Sequence, residues 1–293
     1  MLQNLIALLL ASSLSFGSGA VVASQPQPTF DDSALISVTP IPHQLPDAGL
    51  PGQMSAKSII AMDVTSGTTL YEKNADIALP IASLTKLMTA YIILEETDPN
   101  AVVTVSANAA STEGSRMGLT TGEQITVKNL LFGMLMNSGN DAAMALAEFD
   151  AGSHSAFVTK MNQKAKELGL DQTIFANSTG LDYGDNHSTA RNLGMLSLYL
   201  LKNQAVREIV KNSSFDVTSE DGATHHLVNT NILLGTQGIK GLKTGKTPAA
   251  GQCFISLADT PTGHEVLTVV LGSENRFADT KVLLDWVYNS YVW

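Results

Sequence analysis

Gly251-Gln252-Cys253-Phe254-Ile255-Ser256-Leu257-Ala258 and Glu265-Val266-Leu267-Thr268-Val269-Val270-Leu271-Gly272 are two almost unbroken apolar runs separated by a polar break containing Pro261 and Gly263. Gly238 to Thr247 precedes them as a third run rich in Gly, Thr and Lys. Short runs of this kind, punctuated by Gly, Pro and Thr, read as meandering antiparallel strands. Towards the N-terminus, Lys57 to Val64 and Thr68 to Tyr71 flank the turn signal Thr65-Ser66-Gly67 and predict a hairpin. Between these β-rich ends the apolar spacing becomes three and four, which predicts helices over Ala82 to Glu95, Val127 to Met136, Asn140 to Phe149, Ser155 to Leu168 and Ala190 to Leu201. In the first of them Leu84, Leu87, Met88, Tyr91 and Ile92 mark one buried stripe. A last helix fits Asn275 to Tyr291, with Phe277, Val282, Leu283, Trp286 and Val287 inward. The order predicts an α+β fold, an antiparallel β-sheet built from both ends of the chain, flanked by helices and carrying an inserted helical region.

The chain has 293 residues, 44% hydrophobic and 15% charged, enough to bury a sizeable core. A formal charge of -10 argues against a nucleic-acid partner, which needs clustered Lys and Arg. The apolar run Leu5 to Ala11, followed by small residues up to Ala23, reads as a signal peptide over 1–23 or an uncleaved anchor. Either implies export, to the periplasm or the extracytoplasmic face of a bacterial membrane, with membrane association through that segment only. Residues 24–54, rich in Pro, Ser, Asp and Gln, read as an extended leader, and 55–293 as a single catalytic domain without an additional C-terminal β-domain. The one cysteine, Cys253, reads as a buried strand thiol.

Ser83-Leu84-Thr85-Lys86 sets a hydroxyl and an amine one turn apart at a predicted helix N-terminus, where free N–H groups favour an anionic intermediate. For Lys86 to take the Ser83 proton its pKa must fall from about 10.4 to roughly 7 to 8, a cost of about 4 kcal/mol. Burial and a second cation, with Lys243 the candidate, would supply that. In Lys243-Thr244-Gly245 the first two side chains can bind a carboxylate, and the glycine lets a ligand approach the backbone. Ser-Xaa-Asn occurs three times, at Ser106, Ser138 and Ser273. Only Ser138-Gly139-Asn140 opens a strongly helical run, a rigid support for short polar side chains.

These three elements, in this order, resemble the active-site set of serine penicillin-binding proteins and β-lactamases. The surrounding residues narrow the resemblance. Pro80-Ile81-Ala82-Ser83-Leu84-Thr85-Lys86-Leu87-Met88-Thr89, Asn137 to Ala143, Thr179-Gly180-Leu181, Ser188-Thr189-Ala190-Arg191 and Gly241 to Gly245 look like the low-molecular-mass D-alanyl-D-alanine carboxypeptidases. The resemblance implies a β-lactamase/DD-peptidase-like fold and removal of the terminal D-alanine from peptidoglycan stem peptides, without a cofactor. It implies β-lactam antibiotics as covalent inhibitors. It further implies Ser83 as nucleophile, Lys86 as general base and Ser138 as proton relay to the leaving D-alanine. Asn140 would orient Lys86 and the substrate amide, Lys243 and Thr244 would hold the terminal carboxylate, and the N–H groups of Ser83 and Lys246 would form the oxyanion hole beside Gly245.

Rival readings are weaker. Gly241 to Thr247 looks like a phosphate-binding loop, but Lys240 stands where that loop needs glycine. The six histidines show no metal-ligand spacing, so no metal is expected. A β-lactamase of the class A type needs an added glutamate base after Ser-Xaa-Asn, and no glutamate lies between Glu167 and Glu208. A D-alanyl endopeptidase cleaving peptidoglycan cross-links remains as an alternative, and a non-catalytic wall-binding or β-lactam-sensing domain as a second. His187 reads as structural, Lys240 as a solvated strand residue, and Asp182, Asp185 and Arg191 as fixing the loop around them.

Overall fold

The computed structural model describes residues 41–293. The chain enters through β1 (His43–Gln44), the hairpin β2 (Ser58–Asp63) and β3 (Thr69–Lys73), and the short β4 (Leu79–Pro80). A 3-10 turn, Ala82–Thr85, leads into α1 (Lys86–Glu96). The helical block follows: β5 (Val102–Thr104), α2 (Ala107–Ala110), β6 (Gln124–Thr126), α3 (Val127–Leu135), α4 (Asn140–Ala151), α5 (His154–Glu167), β7 (His187–Ser188), α6 (Ala190–Leu200) and α7 (Gln204–Val210). Then come β8 (Ser214–Thr218), β9 (Thr224–Val228), β10 (Ile239–Thr247), β11 (Gly251–Asp259), β12 (Glu265–Ser273), α8 (Arg276–Ser290) and β13 (Tyr291–Val292).

Five strands form the central sheet in the order β10-β11-β12-β2-β3, each pair antiparallel. The two chain ends meet where β12 pairs with β2, Val269 lying opposite Ile60. Alternate residues serve opposite faces. Ile59, Ala61, Phe254, Val266 and Val270 pack with Leu283, Leu284 and Val287 of α8. Ile60, Met62, Ile255, Leu257, Leu267 and Val269 join the core of the helical block. Because both faces are covered, β11 and β12 read as continuous apolar runs instead of alternating ones. Polar caps start the helices: Thr126, Ser153, Thr189 and Asn275 each accept from a backbone N–H of the first turn.

The sheet built from both chain ends and the inserted helices agree with the sequence reading, but α1 does not present a single buried stripe. Lys86 to Ala90, Ile92 and Ile93 are all buried, since α3, α4, α5 and α6 surround it. Nor does α1 begin before Ser83; that residue sits in the preceding 3-10 turn, where positions three apart eclipse. The hairpin β8–β9 escaped the sequence reading because its exposed positions hide the alternation, although Phe215 stacks on Phe132 of α3 at 4.4 Å. Residues 43–54, read as leader, lie against the body: His43 and Gln44 pair with β13, and Trp286 Nε1 donates to the Gly49 carbonyl at 2.6 Å. The expected signal segment lies outside the described residues. Among the described residues no helix is long and apolar enough to cross a membrane.

Candidate active site

Lys86 is wholly buried at the start of α1, and its Nζ meets three acceptors. They are Ser83 Oγ at 3.1 Å, Asn140 Oδ1 at 2.7 Å and the Thr179 carbonyl at 2.6 Å. Burial holds the Lys86 pKa well below the ordinary lysine value; the charge of Lys243 pushes the same way, and Asp141 opposes. Lys243 on β10 is itself buried, donates to the Thr244 carbonyl at 3.0 Å, and is lowered to about 7 by burial and then by Arg276.

Ser138 and Asn140 come from the turn between α3 and α4. Asn140 is fixed on both sides, its Nδ2 donating to the Glu113 carbonyl at 2.6 Å and its backbone N–H to the Ser115 carbonyl at 2.7 Å. Asp141 pins the same overlying loop: its carboxylate accepts from the N–H groups of Met117, Gly118 and Leu119 at 3.0, 2.9 and 3.1 Å. Ser138 has φ 59°, a left-handed conformation that is strained for a serine, and its hydroxyl has no hydrogen-bond partner among the described residues.

The edge strand β10 lies directly against the Ser83 turn. A Cβ on Gly245 would come within 3.1 Å of the Ser83 nitrogen and of the Ala82 Cβ, so any larger residue would press the strand a few tenths of an ångström off the Ser83 turn. Thr244 Oγ1 is engaged with Thr230 Oγ1 at 2.6 Å, and the Lys246 side chain is exposed at the end of the strand. The geometry thus brings Ser83, Lys86, Asn140 and Gly245 into direct contact with one another or with one turn. Lys243 lies behind them as a buried cation.

Two contributors escaped the sequence reading. The Thr179 carbonyl is backbone and has no side-chain signature; its loop is ordered by Asn177, whose Oδ1 accepts from the N–H groups of Thr179 and Gly180 at 3.1 and 2.7 Å. Arg276 donates from Nη1 to the Gly245 carbonyl at 2.6 Å, while its buried Nε has no partner among the described residues. A cation in the first turn of α8 opposes the helix dipole, and that misfit was the available signal.

The remaining candidates have structural roles. Ser106 caps α2 and Asn275 caps α8, which accounts for the other two Ser-Xaa-Asn runs. Asp182 Oδ2 accepts from the Ala249 N–H at 3.0 Å, and His187 Nδ1 contacts Asp185 Oδ1 at 3.0 Å. Arg191 does not brace its own loop; it bridges to Glu72 of β3 and to Asp76 just after that strand, each at 2.7 Å. Lys240 is taken up by Glu265 at 2.7 Å and by Asp259.

The chain is 37% identical over 245 residues to D-alanyl-D-alanine carboxypeptidase DacF of Bacillus subtilis, an alignment covering 80% of this chain and 63% of that one. It is 36% identical over 261 residues to a D-alanyl-D-alanine endopeptidase of Pseudomonas aeruginosa, covering 84% of this chain and 82% of the other. The crystal structure of the Streptomyces K15 DD-transpeptidase superposes with a TM-score of 0.77 at 31% identity, covering 82% of this chain and 100% of that chain. The chain spans less than two thirds of the length of the first curated carboxypeptidases it matches, at 63%, 62% and 63%. With the D-alanyl-D-alanine carboxypeptidase model of the S11 peptidases matching residues 44–275, the chain belongs to that family.

Proposed function

We propose that the chain is a serine-type D-alanyl-D-alanine carboxypeptidase that releases the terminal D-alanine of peptidoglycan stem peptides through an acyl-enzyme on Ser83. The observation that carries this reading is the 3.1 Å contact between Ser83 Oγ and the buried amine of Lys86. Neutral Lys86 takes the hydroxyl proton as Ser83 Oγ bonds to the carbonyl carbon of the penultimate D-alanine. The N–H groups of Ser83 and Lys246 receive the oxyanion, each such donor being worth about a hundred- to a thousand-fold in rate. The proton then passes by way of Ser138 to the leaving amine as the C–N bond breaks, and water hydrolyses the ester. Lys243 and Thr244 hold the substrate carboxylate, with Gly245 giving the backbone room, and Asn140 holds Lys86 and the substrate amide.

A penicillin presents a similar carbonyl and carboxylate, so it acylates Ser83. Glu167 ends α5 and is tied to Lys164 at 3.2 Å, and no glutamate lies between it and Glu208, so without an added deacylation base the adduct is expected to leave slowly. Such a substrate places the enzyme on the extracytoplasmic side of a bacterial membrane. That suits residues 1–23 as signal or anchor, with the catalytic body beginning near His43, where the chain first pairs with β13, instead of at residue 55. A relative of similar identity bears the endopeptidase name, so cleavage of D-alanyl cross-links is the second reading.

Intact-protein mass spectrometry with a penicillin, followed by turnover of a D-alanyl-D-alanine pentapeptide and a cross-linked dimer, tests the assignment. One adduct on Ser83 with D-alanine release is expected. Dimer cleavage alone would select the endopeptidase, and no adduct on folded protein would overturn both.

A further inference from the structure

His154 is the first residue of α5, directly after the capping Ser153, and its ring is only partly exposed. Its Nε2 accepts from the Ser178 backbone N–H at 3.1 Å. The Ser178 carbonyl is held as well, accepting from Thr89 Oγ1 of α1 at 3.0 Å. The next residue is Thr179, whose carbonyl holds Lys86 Nζ at 2.6 Å. A short covalent and hydrogen-bonded path therefore runs from an imidazole outside the cleft to the buried amine.

The histidine nitrogen can accept only while it is unprotonated. Two features favour that state. Burial lowers the His154 pKa, with Glu148 of α4 opposing, and a cation at the N-terminus of a helix works against the helix dipole. Glu148 is the charged group that faces the ring, and its carboxylate is already engaged by Ser106 Oγ and Asn108 Nδ2. The other residues that line the hollow beside His154 are uncharged, as are Thr89 and Ser178.

We infer that neutral His154 is a positioning residue for the catalytic amine: by holding the Ser178 amide it fixes the Thr179 carbonyl that aims Lys86 at Ser83, and protonation in acid releases that hold. The inference rests on the reading of Lys86 as the base for Ser83. It assigns to His154 a share of the loss of activity at acid pH that Lys86 alone would not produce.

The test compares the acylation rate by a chromogenic cephalosporin between about pH 4.5 and 8 for the wild type, His154→Gln and His154→Leu. Gln offers an acceptor that does not titrate, whereas Leu offers none. At neutral pH the Gln variant is expected to stay within about threefold of the wild type and the Leu variant to be slower by about five- to tenfold. In acid the wild type is expected to lose a further factor of about five to ten that both variants lack. The Ser178 amide resonance should titrate together with the His154 ring in the wild type and not in His154→Gln. If the Leu variant does not fold, the acid limb of the Gln variant and the Ser178 resonance decide. Acylation that ignores both substitutions at every pH overturns the inference alone. A folded wild type that is never acylated overturns the reading of Lys86 and Ser83, and the inference with it.

Discussion

Lys86 Nζ lies closer to the Thr179 carbonyl, at 2.6 Å, than to the Ser83 hydroxyl it faces, at 3.1 Å. A neutral amine has two N–H groups and one lone pair. With Thr179 and Asn140 Oδ1 taking the two N–H groups, the lone pair is left for the Ser83 proton. In the neutral state the geometry therefore defines the direction of proton transfer.

Replacing Lys86 with Met should retain the volume of the buried chain and remove the base. Acylation by a penicillin is expected to slow by about a hundred- to ten-thousand-fold, the usual contribution of general base catalysis. Single-turnover kinetics with a fluorescent penicillin measures it, and a variant within tenfold of the wild type would exclude Lys86 as the base.

Lys243 ties activity to stability. Its folded-state pKa of about 7 lies below the ordinary 10.5, so between those values the unfolded chain binds the extra proton and stability rises with pH. Lys243→Met removes a buried charge and should stabilise the fold by about 1–4 kcal/mol near pH 6, with a smaller gain near pH 9. Urea denaturation at both pH values reads the difference. The same change removes a charge that lowers the Lys86 pKa, so the acid limb of any residual acylation should move to higher pH.

Much of this was legible before the structure. The runs that became β2, β11 and β12 are apolar and bounded by turn residues, because strands buried on both faces admit little else, whereas the edge strands β3 and β10 carry polar residues and were marked by their turn signals. Ser83, Lys86, Ser138, Asn140 and Lys243 could be singled out because their candidate roles rest on side-chain groups that the sequence names directly. The buried setting of α1 was less visible: a helix enclosed on nearly every side loses the polar stripe that marks its orientation. Thr179 contributes only a carbonyl, and any residue supplies one. Arg276 and His154 depend on long-range placement, Arg276 reaching Gly245 from 31 positions away and His154 reaching Ser178 from 24.

Gly180 has φ 85°, and a Cβ there would lie 1.9 Å from the Ala82 carbonyl oxygen, in the turn that carries Ser83. Neither atom is the end of a flexible side chain, so the backbone itself must shift. Gly180→Ala is expected to cost about 3 kcal/mol or more and to displace the nucleophile. Chemical denaturation and the acylation rate should fall together; a folded variant of wild-type stability and rate would show that the loop is free to retreat.

Asp141 connects the loop above the site with the electrostatics inside it. Its buried carboxylate accepts three N–H groups from Met117 to Leu119, and its charge raises the Lys86 pKa. Asp141→Asn keeps the shape but sets an amide N–H₂ against backbone donors, at an expected cost of about 2–4 kcal/mol. The loop that fixes Asn140 through the Glu113 and Ser115 carbonyls should loosen, and acylation at neutral pH should slow. The loss of the negative charge should also move the acid limb to lower pH, opposite to the shift expected for Lys243→Met. A pH profile of the acylation rate separates the two: a slower enzyme with an unmoved limb would assign Asp141 to loop anchoring alone, and a limb displaced to higher pH would contradict its assigned electrostatic effect on Lys86.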